Sequence, residues 1–546
     1  MWTVAACGVD ADANTTFDDA DGTRGTDGAD SDDAGSASAA PDENSSGGTS
    51  GPALFDVGGG ATAADDGGEP AITCEEAAAQ QVSQGCEFWA VDLPQSWWSE
   101  AEGTIAPEQG QYAVAVANPS PSLAANVAFY IGADDVAVDG AAVAPGGVEV
   151  FLLPALSIDA MASSDDGLAY RVESDVPVTA YQFNTLEQVS SRYSADASLL
   201  LPSHMLRADY VAFTGDALTI DPGWGLNWAG AYVSVVATED DTVVDIYPTA
   251  VPIQPGASAN GVELDRGQVL TLLSQSAGGN FASNWTPGEG NLTGSRIAAT
   301  KPVAVFSGNV TAFEQVALGA LFEDYPCCGD HLEEQMLPLE TWGRRYLAAP
   351  PNNPNGPGDV KATYRVVAGF DGTTFEYSPA APPNAPLALD AYEVAYFVTD
   401  QAFAITGTQP FGVAQFHVGS HATMLGATAN GDPSMLLLPA VEQLDDDYVF
   451  LVPPTFEANY LTLIRPVGST TELDDVVLDQ AGAPAGMIDD LEYEYLQVTI
   501  DEGAHHIANT DPHAIVVYGY ADTIGYAYAG GTGLDPINEP PPVPAG

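Results

Sequence analysis

The chain has 546 residues, with 12 Lys+Arg against 76 Asp+Glu and a formal net charge of −64. That charge repels DNA, RNA and anionic lipid, so nucleic acid is excluded as a partner, while cations and basic proteins are electrostatically welcome. No run of 18 or more apolar residues occurs, so no helical membrane span is predicted.

At the N-terminus, Val4-Ala5-Ala6-Cys7-Gly8 is similar to a bacterial lipobox, although the charged and apolar regions expected upstream are missing. Residues 1–8 are therefore expected to be a lipobox-like start with Cys7 as the lipidation site. A lipid there would be the sole link to a membrane. Residues 9–72 are Asp, Gly, Ala, Ser and Thr with almost no large apolar side chains, and read as a disordered acidic linker. Asp21, Asp27, Asp30, Asp32 and Asp33 crowd together without EF-hand spacing.

Order is expected from about Cys74. Cys74 and Cys86 flank a segment of helical propensity, Glu75 to Gln81, and a disulfide closing it is the favoured reading. Cys327 and Cys328 are adjacent and are expected in disulfides, either as a vicinal pair or with one pairing elsewhere. Leaving Cys7 aside, an even number of cysteines remains, which fits an oxidising compartment. Zinc is disfavoured, because no second cysteine pair or nearby histidine pair completes a ligand set.

Beyond residue 87 the pattern is strand, turn, strand. A polar corner, a proline and an apolar strand recur four times: Ser174 to Asn184 around Pro177, Ala299 to Asn309 around Pro302, Gly407 to Phe416 around Pro410, and Asn509 to Gly519 around Pro512. A second landmark is a leucine-proline pair followed by a tyrosine: Leu201-Pro202 with Tyr210, Leu337-Pro338 with Tyr346, and Leu438-Pro439 with Tyr448. Phe88 to Pro94, which ends in Leu93-Pro94, is read as the first, variant copy. A third landmark is a corner feeding an apolar strand, at Gly146-Gly147, Gly267-Gln268 and Asp390 to Phe397.

These landmarks predict an all-β fold of four tandem antiparallel β repeat units. The units are β-sandwich-like or, alternatively, paired blades of a β-propeller. The expected units are 73–190 (with the Cys-flanked helical segment), 191–315, 316–425 and 426–530, followed by a Pro-rich tail at 531–546.

Catalytic signals are weak. His417 and His421 are four apart, but at a strand end and its loop, where that spacing does not bring side chains together. His505-His506 read as strand or loop residues. Ser307 lacks the glycine two positions earlier that a nucleophile elbow needs. Glu333-Glu334 and Asp445-Asp446-Asp447 read as solvated corners, with calcium at such loops the preferred cofactor reading. Trp97, Trp98, Trp224, Trp228 and Trp285 lie in Gly/Pro/Asn-rich segments. They are either lids on the core or a contact surface for protein or sugar. Trp342 reads as structural.

Taken together, Lys301-Pro302-Val303-Ala304-Val305-Phe306-Ser307-Gly308-Asn309, Glu334-Gln335-Met336-Leu337-Pro338, Thr341-Trp342-Gly343 and Cys86-Glu87-Phe88-Trp89-Ala90-Val91-Asp92 resemble the N-terminal domain of IgGFc-binding proteins, over about 74–530. The arrangement is similar to that of the family's bacterial secreted and lipoprotein members. The resemblance implies no catalytic residues. It implies a binding or adhesion protein on the extracellular face or outer membrane of a bacterium, lipid-anchored or secreted. The implied partner is an extracellular protein or glycan, and Fc binding itself is not carried over. The rival expectations are a carbohydrate-active or other hydrolase built on loop carboxylates, and a structural coat component.

Overall fold

The computed structural model describes residues 73–540, apart from 100–103, 108–110, 157, 159–162, 187–193, 218–229, 251–258, 275–289, 313, 315–328, 355–359, 418, 420–430, 455, 479–484, 490–491 and 522–523. Cys7, the 9–72 linker, Trp224, Trp228, Trp285, Cys327, Cys328 and His421 lie outside the described residues.

One short helix, Cys74–Gln80, opens the described chain. The Thr73 side chain accepts from the Glu76 N–H and the Glu76 carboxylate accepts from the Thr73 N–H, a capping box that satisfies two donors the first turn would otherwise leave open. The expected disulfide is formed: Cys74 and Cys86, with Cα atoms 5.7 Å apart, tie this helix to the strand Gly85–Ala90. Beyond the helix, the described elements are antiparallel strands and single 3-10 turns.

Each proline motif lies where two sheets of one unit meet. Tyr170–Asn184, Arg296–Ala312 and Gly503–Ala521 are single long strands, and in the third unit Pro410 separates Phe403–Gly407 from Phe411–Phe416. Residues before the proline pair in an outer sheet. Their partners include Gly85–Ala90 and Ala125–Ile131 in the first unit, and Arg207–Val211 and Thr242–Tyr247 in the second. In the third they are Arg345–Ala348 and Thr373–Ser378, and in the fourth Asp445–Val452 and Thr471–Leu473. Residues after the proline pair in an inner sheet. On one side lie Ala113–Ala117, Ala231–Ala237, Ala362–Ala368 and Ala458–Pro466. On the other lie Asp196–Leu200, Asp330–Gln335, Met435–Leu437 and Ile524–Ala529. By this pairing the first three of these strands are counted with the first, second and third units, although they lie beyond the expected bounds at 190, 315 and 425. A fixed φ and a missing N–H suit proline to the point where one ladder ends and the next begins.

The other landmarks have equally regular places. The third-landmark corners feed Val148–Leu152, Gln268–Leu273 and Val394–Thr399, each paired to its unit's inner strand. The Leu-Pro pairs lead into 3-10 turns at Ser203–Met205, Leu339–Thr341 and Val441–Gln443. Leu93-Pro94 does not belong to this series. Phe88 stands opposite Val172, five residues before Pro177, as Tyr210 stands opposite Ile297, five before Pro302. Phe88 thus takes the tyrosine's place, and Leu93-Pro94 follows it instead of preceding it.

The inner strands are buried on both faces, so they read as unbroken apolar runs instead of alternating ones. In Ala231–Ala237, Val233 and Val235 pack into the second unit's own core with Val244, Ile246 and Ile297. Tyr232 and Val236 of the same strand pack into the first unit's core with Phe88, Tyr170 and Val172. The relation repeats. Val367 and Phe416 of the third unit join the second core. Val516 and Tyr518 of the fourth join the third core with Phe375 and Phe403. Ala113, Ala115 and Tyr181 of the first join the fourth core with Phe450 and Leu463. The cores close in a cycle, so no unit completes its burial alone. Two further links cross units. Ser164–Leu168 pairs with Gln268–Leu273. Buried Leu534 of the tail donates its N–H to the Gln81 carbonyl, while Gly533 donates to that of Gln443.

Candidate functional site

The last strand of each inner sheet meets the others at one centre. Asp196–Leu200 packs against Asp330–Gln335 and Ile524–Ala529, and Met435–Leu437 packs against the same two. Close approach there demands glycine. A Cβ on Gly308 would lie 1.8 Å from the Leu332 carbonyl oxygen, and one on Gly525 would lie 2.7 Å from that of Asp432.

Acidic side chains fasten this centre. Asp196 accepts from N–H groups of all three other units: Glu333 at 3.1 Å, Met435 at 3.2 Å and Ala527 at 3.4 Å. Asp330 accepts from the N–H of Ala195 at 2.6 Å and of Gly525 at 3.3 Å, reaching the first and fourth units. Glu333 accepts from the side-chain amides of Asn184 and Gln182, and its Oε2 lies 3.5 Å from His331 Nε2. Gln335 Oε1 accepts from the Leu201 N–H at 2.7 Å, and Ser198 Oγ accepts from the Gln335 N–H at 2.8 Å.

Their ionisation follows from burial. Loss of solvent, then the neighbouring Glu333 charge, push the Asp196 carboxyl well above its ordinary range. Burial does the same to Asp330. Glu333 is raised by burial first and by Asp92 in addition. Glu334 is raised by burial, then by Asp196 and Glu333. Burial pushes His331 down to about 3, so the ring beside Glu333 is neutral. These buried carboxyls, accepting backbone N–H and side-chain amide groups from other units, hold strands together.

The solvated-corner reading therefore fails at Glu333-Glu334. Both side chains are buried, because the strand that carries them is paired with Arg296–Ala312 and covered by other units. Asp446 and Asp447 are exposed at the start of Asp445–Val452, with Asp445 half-buried. Trp97 and Trp98 stand on a strand, Ser96–Ser99, paired with Thr104–Pro107, and not in a loop. Trp342 is buried, with its ring N–H donated to the Leu337 carbonyl.

Ser307 Oγ latches its strand to the segment that follows Arg207–Val211. It donates to the Phe213 carbonyl at 2.7 Å and accepts from the Phe213 N–H at 3.2 Å. His417 is a core histidine, pushed down to about 3 by burial and set against Tyr518 and Tyr520. His506 is exposed and paired with Asp447 at 2.8 Å, while His505 is largely covered, stacked on Phe450 and paired with Asp474 at 2.7 Å. Among the described residues, no group of three or more His, Cys, Asp or Glu side chains is arranged to hold a metal ion.

The sequence carried a signal for the central acids. An aspartate precedes each Leu-Pro pair by five to seven residues: Asp196 before Leu201, Asp330 before Leu337 and Asp432 before Leu438. The family profile described as IgGFc binding protein matches residues 196–519, from the central Asp196 to the end of the last proline motif. The chain belongs to the IgGFc-binding protein family. Within that family, the IgGFc-binding protein of Homo sapiens is 23% identical over 353 residues, 63% of this chain and 6% of that protein. The chain thus spans a small part of the relative's length.

Proposed function

We propose that this chain is an extracellular or cell-surface binding protein whose ligand is a protein or a glycan. Family membership carries the reading: the profile is named for binding, and so is the human relative. The cyclic core supports it physically, because four mutually buried units make a rigid base on which loops and edges are held in fixed places. In this reading Trp97 and Trp98, with Trp224, Trp228 and Trp285, supply contact surface. A lipid on Cys7 tethers the chain through the acidic linker outside a bacterial cell, and calcium supports the acidic loops.

The hydrolase alternative needs two carboxyls converging in an open cleft, and the described central carboxyls are sealed instead. The test is capture on protein and glycan arrays with and without chelator, alongside turnover assays on the bound ligands. Ligand retention without turnover, weakened by Trp97→Ala and Trp98→Ala, is the expected result. Turnover lost on a carboxylate-to-amide change would replace this reading by the hydrolase.

A further inference from the structure

The hairpin that follows each outer-sheet strand ends its sheet. Asp139–Val143, Val262–Leu264, Ala388–Leu389 and Val476–Val477 are the terminal strands of their sheets. An outermost strand presents a row of backbone N–H and C=O groups ready to pair with another chain, and proteins ordinarily guard such edges with charged side chains, above all lysine, with proline or with a bulge. In the first unit the charged guard is acidic alone. Residues 133–142 are exposed without interruption and read Ala-Asp-Asp-Val-Ala-Val-Asp-Gly-Ala-Ala, with no proline and no basic residue. Val136 is 77% exposed and Val138 44%. Ala141 and Ala142 are small and exposed, so they add little bulk beside the strand.

Charge selects the occupant. Asp134, Asp135 and Asp139 flank the edge, and the chain as a whole carries −64. Several of the described basic side chains are engaged inward: Arg171 with Glu173, Arg296 with Asp209, Arg365 with Glu314 and Arg465 with Glu494. A second copy of this chain would bring the same aspartates against these ones and be repelled, whereas a basic strand is attracted.

We propose that the outer edge of Asp139–Val143 takes up an extended peptide segment with alternating apolar and basic side chains, adding it as a further strand of the first unit's outer sheet. Backbone pairing supplies the register, the exposed valines supply apolar contact, and the aspartates exclude acidic competitors. The inference rests on the reading of this chain as a binding protein and names the chemistry of its partner.

The probe is a labelled ten-residue peptide of alternating valine and lysine, followed by fluorescence anisotropy with the full chain at physiological salt. Two controls accompany it, the valine–glutamate peptide and a valine–lysine peptide N-methylated on alternate backbone amides. Binding of the first peptide alone is expected, weakened at least about tenfold by the double change Ala141→Lys and Ala142→Lys. Glu502→Lys, an equal charge change at an exposed site in the fourth unit, leaves binding unchanged. Equal binding of the N-methylated peptide, or binding indifferent to the two lysines, would overturn the proposal. So would self-association of the chain abolished by those lysines, which would make the occupant a second copy. Array capture tests the general binding reading separately. Captured ligand together with silent peptides would therefore remove the edge-strand proposal alone.

Discussion

The Tyr210 hydroxyl donates to the carbonyl oxygen of Val303 at 2.8 Å, and Val303 is the residue that follows the motif proline Pro302. The same hydroxyl accepts from the Arg207 N–H at 2.9 Å, closing the turn after Leu201-Pro202. The bond recurs from Tyr346 to Phe411, after Pro410, and from Tyr448 to His513, after Pro512. The two strongest sequence landmarks are thus one structural device in the second, third and fourth units: a tyrosine that pins the proline corner.

Tyr210→Phe keeps the ring in the core and leaves a buried carbonyl and N–H without their shared partner. A loss of about 1–3 kcal/mol in unfolding free energy is expected by denaturant titration. Phe88, the natural counterpart in the first unit, gives the control: Phe88→Tyr yields no comparable gain. An unchanged midpoint for Tyr210→Phe would show that the pin is dispensable.

Asp196 is more demanding, because its two oxygens accept from strands of all three other units. Asp196→Asn turns an amide donor toward groups that are themselves donors. A destabilisation of about 2–5 kcal/mol is expected, with all four units failing together in a single calorimetric transition. Separate transitions, with one unit melting alone, would contradict the closed cycle of shared cores.

The central carboxyls also set a pH dependence. Asp196, Asp330, Glu333 and Glu334 have folded pKa values raised above the unfolded value of about 4. The folded state therefore holds more protons than the unfolded one, and stability falls as pH rises from about 4 through the raised values. His331 and His417, lowered to about 3, and His513, lowered to about 4, act oppositely, adding stability as pH rises to about 6.5. His506, raised chiefly by its hydrogen bond to Asp447, adds a fall just above that value. Glu333→Gln, which cannot titrate, should therefore flatten the part of the melting-temperature profile that falls as pH rises above about 4. A profile unchanged by Glu333→Gln would be inconsistent with a raised Glu333 carboxyl at the centre.

Reducing the Cys74–Cys86 bridge, which spans a sequence separation of 12, frees a short loop. The chain-entropy estimate for such a loop is about 3 kcal/mol. The double change Cys74→Ala and Cys86→Ala should release the 74–80 helix to hydrogen exchange while the inner strands stay protected. Exchange of Ala113–Ala117 at the same rate would show that the bridge supports the core itself.

Several of these features were legible in the chain and several were not. The all-β architecture, the fourfold recurrence, the 74–80 helix and its disulfide follow from local signals: proline corners, turn residues, helical propensity and cysteine spacing. The burial of Glu333 and Glu334 is not legible locally, because an acidic pair before a strand is ordinarily solvated and only the fold brings three other units over it. Leu93-Pro94 matches the dipeptide of the other units but not its register, which is set by the pairing of Phe88 with Val172. Both departures arise from contacts between residues far apart in the chain.

By itself the sequence determined where strands begin and end and how often the block recurs, because φ restriction at proline, turn chemistry and side-chain alternation act over a few residues. Only the tertiary structure decided that the apolar inner strands serve two cores each. It also decided that Asp196 joins four units and that the strand at 139–143 is left with an open edge. Burial and backbone pairing are settled by which surfaces meet, and the partners can be as far apart in the chain as Asp196 and Ala527.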